Sequence, residues 1–148
     1  MPEKETIERA EKDKREGKSA STQAGEFVRE EIEHVREGKH GARSTKQMIA
    51  IGLSKARRAG VKLAPPKKGK VSGETRRQAA RDLRKGKTAA KRKPSATRSR
   101  AISRALRREG QSAATKKALA RQGRSAAARR SKASRSRSAK KAAATRKK

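Results

Sequence analysis

Residues 67–148 carry 31 lysines and arginines against three acids, a net charge of +28, and no aromatic residue. Charge of one sign at this density opposes compaction, and few large apolar side chains are present to offset the entropy of ordering the chain. The segment is therefore expected to be a long basic tail, largely disordered or conditionally helical. Its natural counter-charge is a polyanion. Duplex DNA presents one negative charge per ~1.7 Å of axis, and cations set beside it release condensed counterions.

Charge divides the remainder as well. Residues 1–37 hold eight bases and eleven acids, and residues 38–66 hold seven bases and no acid. The whole chain has 148 residues, a net charge of +32, 30% hydrophobic residues and a single aromatic, Phe27. An all-α fold follows. It comprises a charged N-terminal helix in residues 1–20, a helical hairpin in 21–64, a Pro/Gly/Lys linker in 65–73 and the basic Ala/Ser/Lys/Arg-rich tail in 74–148.

Periodicity predicts the helices in more detail. In 3–16, Glu5–Arg9, Glu8–Lys12 and Glu11–Arg15 are acid-first i,i+4 pairs, and Gly17 suits a C′ stop. Ser21 or Thr22 caps a helix to about residue 37, with Phe27, Val28, Ile32 and Val35 on one side. Ser44 caps the next helix, with Gln47 in a capping box. Met48, Ile49, Ile51, Leu53 and Ala56 form its apolar side, and Gly60 and Pro65-Pro66 close the unit. The expected hairpin core is Phe27, Val28, Ile32, Val35, Ile49 and Leu53. That core is thin, so a homodimer or another partner is expected to complete it. Shorter helical patterns follow at 74–85, 96–109 and 113–122.

One six-residue module recurs. Arg15-Glu16-Gly17-Lys18-Ser19-Ala20 returns at 84–89, 108–113 and 121–126, and more weakly at 36–41. It reads as a helix stop at Gly followed by a new N-cap at Ser or Thr, a pattern that would lay short basic helices along a polymer. Biased composition generates such matches too.

Phosphate contact, rather than base reading, fits this chemistry, because stacking aromatics and base-reading Asn are missing from the tail. The residues expected to contact nucleic acid are Lys39, Arg43, Lys46, Arg57 and Arg58 in the hairpin, then Lys67, Lys68, Lys70, Arg76, Arg77, Lys91, Arg92 and Lys93. Farther on they are Arg107, Arg108, Lys116, Lys117, Arg129, Arg130, Lys140 and Lys141. Lys39, Arg43 and Lys46 flank a helix N-terminus, where free N–H groups favour anions. The helix dipole alone also explains Lys55, Arg57 and Arg58 at the other end. Ser134-Arg135-Ser136-Arg137-Ser138 is a short arginine–serine tract whose phosphorylation would weaken such contacts.

Other chemistries are disfavoured. Residues 38–45 lack the GxxxxGK[ST] spacing of a phosphate loop, and no pair of titratable groups points to catalysis, so no enzyme is expected. The chain has no cysteine and two histidines, His34 and His40, with Glu33 and Glu37 as the nearby acids. Neither a metal nor a cofactor is expected from so few ligands. Met1-Pro2-Glu3-Lys4-Glu5 lacks the apolar core of a secretory signal, and no apolar run approaches membrane length. A cytoplasmic, nucleoid location is the expectation.

Thr22-Gln23-Ala24-Gly25-Glu26-Phe27-Val28-Arg29-Glu30-Glu31-Ile32, Lys39-His40-Gly41, Ser44-Thr45-Lys46-Gln47 and residues 49–56 (IAIGLSKA) together resemble a family of small basic bacterial proteins. That family carries a domain of uncharacterised function and is sometimes labelled DNA-binding or plasmid-stabilisation. The resemblance covers about a third of the chain, with Met48 where the family pattern has alanine. The tail is similar to histone-like and linker-histone tails in composition only. These features converge on a non-sequence-specific, histone-like DNA-binding protein, nucleoid-associated or serving plasmid maintenance, with DNA favoured over RNA. One alternative is an RNA-binding protein that folds on structured RNA. The other is a protein-interaction adaptor tethered to the nucleoid by its tail.

Overall fold

Side-chain caps start several of the helices in the computed structural model, which describes residues 2–88 and 95–146. Among these the chain forms seven α-helices and no strand: α1 Lys4–Arg15, α2 Ala20–Arg36, α3 Thr45–Arg58, α4 Gly73–Lys87, α5 Ala96–Arg107, α6 Lys116–Ala128 and α7 Lys132–Arg146. A 3-10 turn, Ser112–Ala114, leads into α6. The cap of α2 is Ser19, whose hydroxyl accepts from Thr22 N–H, rather than Ser21 or Thr22. Ser44 caps α3 by accepting from Gln47 N–H at 3.2 Å. The Gln47 side chain returns to Arg43 N–H at 2.8 Å, one residue before the position a capping box uses.

The full module, a glycine stop followed by a serine cap, forms at its first copy, and at the weaker copy 36–41 Gly38 likewise ends α2 with φ +74°. Gly17 takes φ +70° and Ser19 caps the next helix. At 84–89 and 121–126 the glycines lie inside α4 and α6. Repetition of sequence is therefore not repetition of structure.

Two apolar clusters hold the helices. In the first, Ala10 of α1, Ala24 and Phe27 of α2, Ala56 of α3 and Val61 are buried, with Ile7, Leu53 and Leu63 against them. In the second, Val35, Ala42 and Met48 bury together with Ala113 and Ala114 from the 3-10 turn, flanked by Ile32 and Leu119. Of the six expected core residues, Phe27 and Val35 are buried, and Val28, Ile32, Ile49 and Leu53 are half-buried. The tail, expected to be largely disordered, forms α4 to α7 and a 3-10 turn among the described residues, and part of it docks. Two small alanines in a 3-10 turn fit the gap beside Met48 and Val35, which is why this stretch can pack despite its charge. α5, α6 and α7 contain no buried residue; α6 sets half-buried Leu119 against the second cluster, and α7 rests on alanine-rich propensity.

Polar contacts fix the docked pieces. Asp82 of α4 is buried and accepts from Ser54 Oγ and Arg58 Nε of α3, both at 2.7 Å, and from Gln78 Nε2 at 3.1 Å. Asp82→Ala leaves Ser54 and Arg58 without their acceptor. It should cost ~1–3 kcal/mol. Hydrogen exchange should show this as lost protection in α4, while α2 amides stay protected.

Around residues 106–114 the loop before α3 is pinned by backbone bonds, Gly41 N–H to Leu106 O at 2.9 Å and Ala42 N–H to Gly110 O at 3.0 Å. Thr45 Oγ1 donates to Ala113 O at 2.7 Å and Arg36 Nε to Ala114 O at 3.0 Å. A Cβ on Gly41 would overlap the Glu109 carbonyl, so only glycine permits this approach. Gly41→Ala is therefore expected to release residues 106–114 from the loop. Faster exchange at the Ala42 amide, with Phe27-side amides unchanged, is the readout.

Candidate nucleic-acid interface

Acids and bases are segregated in the fold as they are in the sequence. Among the described residues every ion pair lies within residues 3–55, except Arg58–Asp82. The N-terminal acids thus neutralise their own helices and leave the tail's cations alone.

The expected contact residues fall into groups. Arg43, Lys46, Lys67, Lys68, Lys70, Arg76 and Arg77 are exposed, as are Arg107, Arg108, Lys116, Lys117, Arg129, Arg130, Lys140 and Lys141. Lys91, Arg92 and Lys93 lie outside the described residues. Lys39 is paired with Glu3 and Glu37, both at 3.1 Å, and their hydrogen bonds raise its pKa. Arg58 is engaged by Asp82.

Arg57 needs a correction: it is only 6% exposed. Its Nε donates to Leu63 O at 3.2 Å, and burial lowers its pKa. It clamps the segment after α3 and offers no surface to a phosphate. Its charged neighbours in sequence gave no sign of this, because burial here depends on the chain turning back at Gly60.

Sequence reading named Arg107 and Arg108 but missed Ser99, Arg100, Ser103 and Arg104 beside them. Ser99, Arg100, Ser103, Arg104, Arg107 and Arg108 line one open groove of about 480 Å³. Four guanidiniums and two hydroxyls at i, i+4 and i+8 spacings form a ridge of donors with no acid among them. A second cleft of about 450 Å³ shares Arg107 and is lined also by Lys39, His40, Gly41, Glu109 and Gln111. Arg130, just before α7, donates to Ser134 and Ser138, so an arginine outside the arginine–serine tract engages two of its serines.

A different cluster lies beneath the 38–41 loop. Glu30 and Glu31 of α2 are both buried, with the Lys55 ammonium 2.9 Å from Glu30 and 3.2 Å from Glu31. Burial pushes the Glu30 carboxyl up. Lys55, the Glu3 N–H and the Thr6 hydroxyl outweigh it and hold the group below its ordinary value. His40 Nε2 is 2.9 Å and His34 Nδ1 3.8 Å from Glu31 Oε1, while Glu31 Oε2 has no protein partner. His34 Nε2 reaches Glu3 Oε1 at 2.9 Å, and with Lys39 it holds the Glu3 carboxyl down to about 2. The acids that neighbour the histidines in space are thus Glu31 and Glu3, not Glu33 and Glu37.

Residues 4–68, less than half of the chain, match a family described as "Family of unknown function (DUF6496)". The match takes in α1, α2 and α3 and stops before α4, so the family segment is the part with the larger apolar cluster. Comparison with curated proteins and with solved structures finds no match. Among the described residues no helix is long and apolar enough to cross a membrane.

Proposed function

We propose that the protein binds DNA without sequence preference through phosphate contacts of its tail, as a nucleoid-associated or plasmid-maintenance protein. The observation that carries this reading is the one-sided charge pattern. The exposed cations of residues 67–146 lack carboxylate partners among the described residues, and the α5 groove gathers four arginines. Guanidinium forks match phosphate oxygens, and serine hydroxyls add sequence-blind donors.

Helices α5 and α7, of 12 and 15 residues, sit near the length at which isolated helices are marginal in water. With no buried residue to hold them, their helix content rises when phosphates neutralise the repulsion between neighbouring bases. The folded part, α1 to α3 with α4 and residues 106–114 docked on it, is the platform that carries the rest of the tail.

A competition titration tests the reading. At equal salt and equal phosphate concentration, two unrelated duplexes of the same length should compete equally. A structured RNA should compete no better than either. Strong preference for one duplex sequence, or for the RNA, contradicts the proposal.

A further inference from the structure

We propose that Glu31, His34 and His40 form a binding site for a divalent transition-metal ion of the zinc type, built between α2 and the loop that follows it. The three side chains each offer a ligand atom, and these atoms all lie within 4.8 Å of one another. A tetrahedral zinc ion with nitrogen and oxygen ligands at 2.0–2.2 Å separates those ligands by roughly 3.3 Å. The observed separations of 2.9 Å and 3.8 Å bracket that value. Glu31 and His34 are i,i+3 neighbours on α2, and the turn at residues 38–41 brings His40 onto the same spot.

The hydrogen-bond pattern assigns the free nitrogens. His40 Nδ1 is 3.0 Å from the Gly41 carbonyl, which only accepts, so Nδ1 carries hydrogen and Nε2 faces Glu31. His34 Nε2 is 2.9 Å from the Glu3 carboxylate, so Nε2 carries hydrogen and Nδ1 faces Glu31. Metal-ligating histidines characteristically donate their second nitrogen to a carbonyl or carboxylate in this way. With both imidazoles neutral, two lone pairs point at a carboxylate, and only a cation between them relieves that arrangement. A proton on one ring is the alternative cation.

Glu31 supplies an independent observation. It is fully buried, and its Oε2 has no protein partner. The one ammonium near it, Lys55, is shared with the equally buried Glu30. Two buried carboxylates thus divide one positive charge, which is costly unless a further cation joins them. Two imidazoles and one carboxylate are a donor set that suits zinc. Bound there, the ion would tie α2 to the loop that carries Gly41 and Ala42, and so to the docked residues 106–114.

The test uses the full, untagged, chelator-treated chain and no nucleic acid. Because the sequence holds only two histidines and no cysteine, its imidazole signals are few and assignable. Zinc titration followed by calorimetry and by long-range proton–nitrogen NMR of the imidazoles should give one ion per chain. His34 should be metallated at Nδ1 and His40 at Nε2. His34→Ala and His40→Ala should each weaken zinc at least 10–100-fold, a loss that removing outer partners of a metal site already causes. Glu33→Gln, on the same helix but away from the cluster, should leave affinity unchanged. Imidazole nitrogens unmoved by zinc overturn the site, and so does binding that survives the loss of both histidines.

Discussion

DNA affinity of the full chain is expected to fall ~10³–10⁵-fold when salt rises from 50 to 200 mM, the loss that 6–10 phosphate contacts produce. The tail carries far more bases than that number, and among the described residues only one acid of the tail, Asp82, takes part in an ion pair. The tail therefore has the cations to reach this range even if most of its bases make no contact at once. A fluorescence or electrophoretic titration across that salt range measures the loss. A flat response would falsify the phosphate-contact reading, because neutral hydrogen bonds and apolar contacts release no counterions.

The second large effect concerns the fold. Phe27 is 1% exposed and is the largest side chain of the first apolar cluster, between Ala10 of α1 and Ala56 of α3. Phe27→Ala should cost ~3–5 kcal/mol, comparable with the whole stability of a small domain. Thermal melting should lose its cooperative transition or shift it sharply downward. DNA affinity of the same variant should change only a few-fold, since the exposed cations of residues 67–146 need no packed core. Loss of affinity along with the melt would instead place the contacts on the folded part, near Arg43 and Lys46.

Much of α1, α2 and α3 was legible in the sequence because their signals are local. Ser44 and Gln47 mark a helix start by side-chain reach alone, and the spacing of Phe27, Ile32 and Val35 marks a buried stripe. The all-helical class follows from the same periodicity and the alanine content. What the sequence concealed depends on contacts between distant segments. Nothing local marks Glu30, Glu31 or Asp82 as buried, yet each is, Glu30 and Glu31 against Lys55 and Asp82 against Arg58 and Ser54. Ala113 and Ala114 were expected to open a helix over 113–122; they instead sit in a 3-10 turn and close the second cluster, because Gly41 lets the chain approach. α7 has no apolar stripe at all, so periodicity could not find it, although its alanines favour helix.

The same contrast explains the candidate sites. The exposed bases were legible because charge density needs no geometry. The α5 groove was not, since Arg100 and Arg104 stand out only once the helix places them beside Arg107 and Arg108. The histidine cluster was half legible: the histidines are unique in the sequence, but their acid partner could not be chosen among the many glutamates of α2 without the turn at residues 38–41.

The most direct measurement compares two sets of four substitutions that change net charge equally. One set replaces Lys116, Lys117, Arg129 and Arg130 of the tail with glutamine. The other replaces Lys4, Lys12, Lys14 and Arg15 of α1, which are exposed on the acid-rich part of the chain. The slope of log affinity against log salt is then measured for each on duplex DNA. Each tail cation in contact with a phosphate contributes ~0.9 to that slope, so the tail set should flatten it by up to about 3.6 while the α1 set leaves it nearly unchanged. Equal flattening by both sets, or none by the tail set, would contradict binding through the tail.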